Sequence, residues 1–244
     1  SLGSNGQRLQ IAWRSSRFEM VDGGSVTFTG TQFDATENQM VGRLTSVGTV
    51  DTSFATSGWY VHSAPNAERS RAIAARPSGG YVLVGTDFPE SGTSLTNLEG
   101  SVLCLTASGQ PDVTCAGAGR SGFSIDAADD GFWDVDVDDQ GRFVISGFAH
   151  RASSSYTDPE PFVMRLSPSA VLDTSFGSSG IALVPVSSGH LNDLSRDAEG
   201  RILTAGLAYT AGGGDATIIR LDSANAPTTT LAPAPTTIAP SLLP

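Results

Sequence analysis

The chain repeats itself, and the period of that repeat limits its fold more than any other feature. Residues 43–54 read RLTSVGTVDTSF and residues 165–176 read RLSPSAVLDTSF. Midway between them, 61 residues from each, residues 104–115 read CLTASGQPDVTC. A weaker copy begins at Arg220-Leu221, 55 residues after Arg165. The opening SLGSNG matches the SFGSSG that ends the third copy at 175–180, so the chain starts where a repeat has just finished. Self-similarity at a fixed period of this kind marks a stacked or radial repeat architecture.

The rest of each repeat aligns without gaps on four glycines, Gly30, Gly85, Gly147 and Gly206. The runs that end on them are GGSVTFTG, GGYVLVG, GRFVISG and GRILTAG. Upstream lies an apolar column (Phe18, Ile73, Val135, Leu194), and three residues downstream a mostly aromatic one (Phe33, Phe88, His150, Tyr209). Turn signals (VDGG, PSGG, DQG, AEG) separate short β-rich runs in each block, which is hairpin chemistry. A third run follows (MVGRL, SVLCL, FVMRL, TIIRL), and WYVHS (59–63) and IALVPV (181–186) supply a further one. No window holds a helical apolar period. The reading is all-β, with about four short strands per repeat.

Four strands in roughly sixty residues suit one blade of a β-propeller, which buries its sheet faces against neighbouring blades; a β-solenoid is the rival architecture. The Gly-Gly/Arg runs, the Arg-Leu pairs and the closing LDTSFGSSG resemble the delta-60 repeat family of bacterial secreted and surface proteins. The resemblance covers residues 1 to about 226 and implies a propeller-like fold; it brings no general catalytic residues. The expected organisation is a repeat domain over 1–226, with repeats at roughly 1–58, 59–119, 120–180 and 181–226, and a Pro/Thr-rich segment over 227–244. That segment, with five prolines in the nineteen residues from Ala226, reads as a semi-rigid linker or as an element packing on its own propeller or a neighbour. Because the chain opens with the end of a repeat, residues 7–14 are expected to pair beside the last repeat and close the ring.

Fourteen arginines, no lysine and a net charge of −11 leave no basic stripe for phosphates, so nucleic-acid binding is not expected. No apolar run is long enough to span a membrane, and an opening Ser with no signal-peptide pattern in the given residues leads to the expectation of a mature or excised fragment. The acidic stretch 126–141 holds seven of the eighteen aspartates. Within it Asp134, Asp136 and Asp138 alternate with Val135 and Val137, so a strand would set them on one face, the usual opening of a calcium site. The corresponding positions elsewhere (Arg17 and Glu19, Ala72 and Ala74, Asp193 and Ser195) lack such a set, and a hairpin explains the segment without a metal. The expectation is therefore no tightly held metal and no cofactor. His150 falls in the aromatic column and is explained by packing, while His62 and His190 stand in unrelated places. No nucleophile elbow, zinc-protease helix or phosphate loop occurs. Arg43 and Arg165 each precede an aspartate by eight residues (Asp51, Asp173) and are read as intrablade bridges rather than as an anion-binding ring with Arg220.

The two cysteines fall together on two repeat columns. Cys104 stands where the neighbouring copies have Arg43 and Arg165, and Cys115 where they have Phe54 and Phe176. Exchange of both in one copy predicts a Cys104–Cys115 disulfide, closed by the turn-forming Gly109, Pro111 and Asp112, and an oxidising, extracellular or cell-surface location. The functional expectation is a non-enzymatic scaffold or adhesion module facing a protein or glycan partner. A self-assembling subunit whose partners are copies of itself and a glycan-active hydrolase are the alternatives.

Overall fold

The computed structural model describes residues 13–20, 24–33, 37–64, 66–88, 98–125, 129–150, 159–184, 186, 188–210 and 213–222. These form four antiparallel sheets, each a meander in chain order. The first holds β1 (Trp13–Met20), β2 (Val26–Phe33), β3 (Glu37–Leu44) and β4 (Trp59–Val61). The second holds β5 (Glu68–Ala75), β6 (Tyr81–Asp87), β7 (Glu99–Leu105) and β8 (Arg120–Phe123). The third holds β9 (Asp130–Val137), β10 (Phe143–Ala149), β11 (Glu160–Leu166) and β12 (Ile181–Leu183). The fourth holds β13 (Gly189–Arg196), β14 (Ile202–Thr210) and β15 (Gly213–Leu221). The all-β expectation holds, and the arrangement is propeller-like. The first strands adjoin in the order β1, β5, β9, β13, and each sheet packs its face on the next. Among the described residues no contact of similar extent returns from β13 to β1.

Two expectations change. Trp13 and Arg14 do not pair beside the last repeat: they belong to β1 and lie opposite Gln32 and Thr31 of β2. Residues 7–12 and the tail 227–244 lie outside the described residues. The sheets are also offset from the sequence repeats. The runs at 59–61, 120–123 and 181–183, spaced by 61 residues, pair with the preceding strands β3, β7 and β11 rather than opening the next sheet. A sequence period shows where a unit recurs; hydrogen bonding shows where a sheet ends.

The Asp-Thr-Ser-Phe segment now has a physical role. Asp51 Oδ1 accepts hydrogen bonds from the Ser53 amide at 3.0 Å and its hydroxyl at 2.5 Å; Asp112 with Thr114 and Asp173 with Ser175 form the same turn. The turn aims the next side chain out of its own sheet. Phe54 is fully buried among Ile73, Tyr81 and Leu83 of the second sheet, its ring edge-on to Tyr81 at 6.0 Å. Phe176 lies among Leu191, Leu194 and Ile202 of the fourth. Each plug is pinned by backbone where both sides are described: Ala55 N donates to Ser108 O at 2.7 Å and Ala116 N to Ser169 O at 3.1 Å.

The predicted Arg–Asp bridges form as well. Arg43 Nε meets Asp51 Oδ2 at 2.8 Å and Arg165 Nε meets Asp173 Oδ2 at 2.7 Å. The same guanidinium groups lie over the plug rings, Arg43 on Phe54 at 4.6 Å and Arg165 on Phe176 at 4.7 Å. In the second repeat Cys104 and Cys115 occupy those two touching positions and are joined as a disulfide, with Cα atoms 6.0 Å apart. Asp112, deprived of the arginine on its own strand, is paired instead with Arg76 Nη1 at 2.5 Å.

Candidate functional site at the axial bulges

The glycine column creates the one irregularity common to all four sheets. Opposite each glycine the first strand carries a β-bulge whose extra residue is Ser16, Arg71, Trp133 or Asn192. The bulge drives a backbone carbonyl against the glycine. A Cβ on Gly85 would sit 2.0 Å from Arg69 O, on Gly147 2.3 Å from Gly131 O, and on Gly206 1.8 Å from His190 O. No side chain fits there, so the glycine recurs. A bulge also turns its extra side chain out of the sheet's alternation. Around a repeated frame, four positions at equivalent places on the first strands thus carry four different side chains.

Two of these meet. The Arg71 guanidinium lies over the Trp133 ring at 4.1 Å, a contact between the second and third sheets. Trp133 in turn stands 6.3 Å from Phe148 and 6.2 Å from His190. Phe148 packs edge-on to His150 at 5.3 Å, and His190 edge-on to Tyr209 at 5.3 Å, with His190 Nε2 2.9 Å from Tyr209 Oη. His150 is buried and Phe88 of the same column is buried beneath Arg69, whereas Tyr209 is 38% exposed. Phe88 and His150 of the aromatic column are therefore covered, and the column is open at Tyr209 in the fourth sheet. Burial, then the neighbouring His150, holds the His190 imidazole below its usual pKa, which favours the neutral ring.

Among the arginines whose side chains are described, Arg71, which is half-buried, and Arg220, which is exposed, differ from the rest. Arg43, Arg69, Arg76, Arg120, Arg142, Arg165, Arg196 and Arg201 each have a carboxylate within ion-pair distance. Arg71 has no ion pair among the described residues. Its Nε is buried and unbonded, as is Trp133 Nε1. Burial, followed by Arg69, lowers the Arg71 pKa, with Glu37 opposing; Glu37 itself is bound by Arg69. A half-buried cation without a counter-charge is costly, and an incoming anion relieves that cost.

The acidic stretch serves a different purpose. Asp134 Oδ2 accepts from Leu194 N at 2.7 Å, and Asp136 Oδ2 from Arg196 Nε at 2.8 Å, both reaching the fourth sheet. Asp138 turns back on its own hairpin, accepting from Arg142 Nε at 2.6 Å and from the amides of Gln140 and Arg142. Asp129 accepts from Leu98 N and Asp130 from Ile125 N, which ties the third sheet to the second. Asp134 and Asp136 do share a face, beside an axial cavity of about 330 Å³ between β5, β9 and β13. Among the described residues no three acidic, histidine or cysteine side chains are grouped to hold a metal ion. Asp129, Asp130, Asp134 and Asp136 are stitches between sheets, and Asp138 closes its own hairpin.

Two carboxylates converge elsewhere, where Arg120 Nη2 binds both Glu68 Oε1, at 2.7 Å, and Asp87 Oδ2. His62 Nδ1 reaches Glu68 Oε2 at 2.7 Å. Burial pushes the Asp87 carboxyl above its usual range, against the pull of Arg120. This knot ties the ends of β5, β6 and β8 to the connection from the first sheet. Sequence reasoning singled out neither the knot nor Arg71 and Trp133. The repeated glycine was the available signal for the latter, since each one marks a bulge one strand away.

No protein-family model matches the chain, and no curated protein matches its sequence. Among solved structures it is similar to a protein of unknown function from Bacteroides caccae, with a TM-score of 0.42 and 10% identity over 91% of this chain and 82% of that one. It is also similar to two point mutants of the Synechocystis apocarotenoid oxygenase, with a TM-score of 0.44 and 9% and 10% identity over 89% of this chain and 48% of theirs. Likeness at this level carries nothing about the chemistry of the site. No helix among the described residues is long and apolar enough to cross a membrane.

Proposed function

We propose that the protein is a non-enzymatic extracellular binding module, built from delta-60-like repeats, whose axial bulge face takes an acidic glycan. The observation that carries this reading is the Arg71 guanidinium stacked on Trp133 without a carboxylate among the described residues. Stacking fixes the plane of the guanidinium, which presents a donor edge suited to a carboxylate or sulfate. The neighbouring rings of Phe148, His190 and Tyr209 offer apolar faces against which a sugar ring packs, with the Tyr209 hydroxyl as a polar handle. The disulfide agrees with an oxidising compartment. The same frame serves adhesion, since the sheets hold the bulge residues at equivalent places on their first strands.

A glycan array with the full chain tests this. Binding is expected for uronate- or sulfate-bearing glycans and not for their neutral counterparts, and it should weaken as salt rises. Arg71→Gln should reduce affinity at least tenfold, about 1.4 kcal/mol, with an unchanged melting temperature. Equal binding of neutral and acidic glycans, or an Arg71→Gln protein that binds as well as wild type, would sink the reading.

A further inference from the structure

We infer that the outer face of the fourth sheet is an interface that receives the first sheet of a second copy of this chain, head to tail. The repeat itself supplies the comparison. Counted two residues before the Arg/Cys column, Val41, Val102 and Val163 are each 0% exposed, because each is covered by the following sheet. The same position in the fourth sheet is Ile218, and it is 63% exposed. One residue past the glycine column the sequence is Thr31, Thr86, Phe148 and Leu207. The two threonines are 4% exposed and Leu207 is 38%.

Strand register puts these exposed residues on one surface. Ala205 lies opposite Ile218 and Leu207 opposite Ala216, all facing away from the third sheet. The opposite face of the same strands, with Ile202, Thr204, Ile219 and Leu221, is buried. The fourth sheet is therefore two-faced in the same way as the sheets before it, with one face covered and its counterpart open. An apolar residue at the Ile218 position, which is covered in each of the three sheets before it, calls for the same kind of cover, namely a sheet of this repeat.

The first sheet carries the matching surface. The faces that receive a preceding sheet are led by Tyr81 and Leu83 in the second sheet and by Phe143 and Ile145 in the third. The equivalent residues of the first sheet are Val26 and Phe28, apolar and half-buried. The two faces differ, so the contact is heterologous, and repetition of it either closes a ring or extends a fibre.

Sedimentation velocity on the full chain decides the matter. Species at multiples of 25.1 kDa that grow with concentration are expected. Ile218→Asp combined with Leu207→Asp should give a 25.1 kDa monomer with an unchanged circular dichroism spectrum. Val171→Asp, at a side chain 62% exposed outside this face, should leave the assembly intact. A second measurement needs no variant: hydrogen exchange in β14 and β15 should slow as wild-type concentration rises. Wild type that is monomeric at every concentration, concentration-independent exchange in these strands, or an assembly untouched by the paired substitution while still folded would each overturn the inference.

Discussion

Exchange of the disulfide for the arginine–phenylalanine pair of the neighbouring repeats should require a third substitution, at Ala170. Phe54 packs against Gly109 of the next repeat so closely that a Cβ on that glycine would lie 2.7 Å from the ring. At the equivalent junction one repeat later, Cys115 faces Ala170, and both are buried in the same cluster. The smaller cysteine leaves room for the alanine methyl. Ala170 keeps the glycine's backbone too, with φ +60 where Gly48 and Gly109 have +80, a left-handed conformation that a Cβ disfavours. Loss of the crosslink, which joins residues separated by 11 in sequence, costs about 3 kcal/mol on the chain-entropy account. A restored cation–π pair returns about 0.5–2 kcal/mol. The double variant Cys104→Arg/Cys115→Phe also forces the ring onto the Ala170 methyl, an overpacking cost of about 1–3 kcal/mol. Adding Ala170→Gly should recover that cost. In the wild-type background the same change should be nearly neutral, because relief of the left-handed alanine is offset by a lost buried methyl and a looser unfolded chain. Urea unfolding followed by tryptophan fluorescence on all four members of the cycle measures the coupling, expected at about 1–3 kcal/mol. If Ala170→Gly shifts stability equally in both backgrounds, within about 0.5 kcal/mol, Cys115 and Ala170 are independent and the reasoning fails.

Gly147→Ala should destabilise by about 1–3 kcal/mol, since the new methyl meets the Gly131 carbonyl; the urea midpoint should fall, and an unchanged midpoint would mean the bulge is not what selects glycine. Phe176→Ala, at a plug that is 1% exposed, should cost about 3–5 kcal/mol, while Val171→Ala nearby should stay within about 0.5 kcal/mol. The Asp51, Asp112 and Asp173 carboxyls are held below their usual range, first by the hydroxyls of Ser53, Thr114 and Ser175. A folded pKa below the unfolded one, about 3.9, gives stability that is complete above that value and lost as pH falls through the folded pKa. Asp173→Asn should therefore cost stability at neutral pH and progressively less below about pH 3.9. A cost that stays constant on acidification would remove the carboxylate from the account.

The sequence by itself determined the architecture of the unit. The turn-separated runs gave short antiparallel strands, and the 61-residue spacing gave sheets of one kind. Joint replacement of an Arg and a Phe column by two cysteines gave the disulfide, because a column pair that changes together is a pair in contact; the ring-on-guanidinium stacks in the other repeats show that contact. The bridging role of Arg43 and Arg165 was legible for the same reason, as the partners lie eight residues apart on one turn.

What only the tertiary structure decided lies between units, where residues distant in sequence are brought together. Asp134, Asp136 and Asp138 were legible as carboxylates on one face of a hairpin strand; their partners, Leu194 N and Arg196 of the fourth sheet for the first two and Arg142 of the same hairpin for the third, are set by packing and the turn. The glycine column was visible, but its reason, a carbonyl pressed against it from the first strand, belongs to hydrogen-bond register. Arg71 and Trp133 are 62 positions apart at equivalent bulges of two repeats, and only packing of the second sheet on the third stacks them. Ile218 reads like Val163 in sequence, yet Val163 is 0% exposed and Ile218 63%, because only the packing of the following sheet buries that position and no local pattern encodes it.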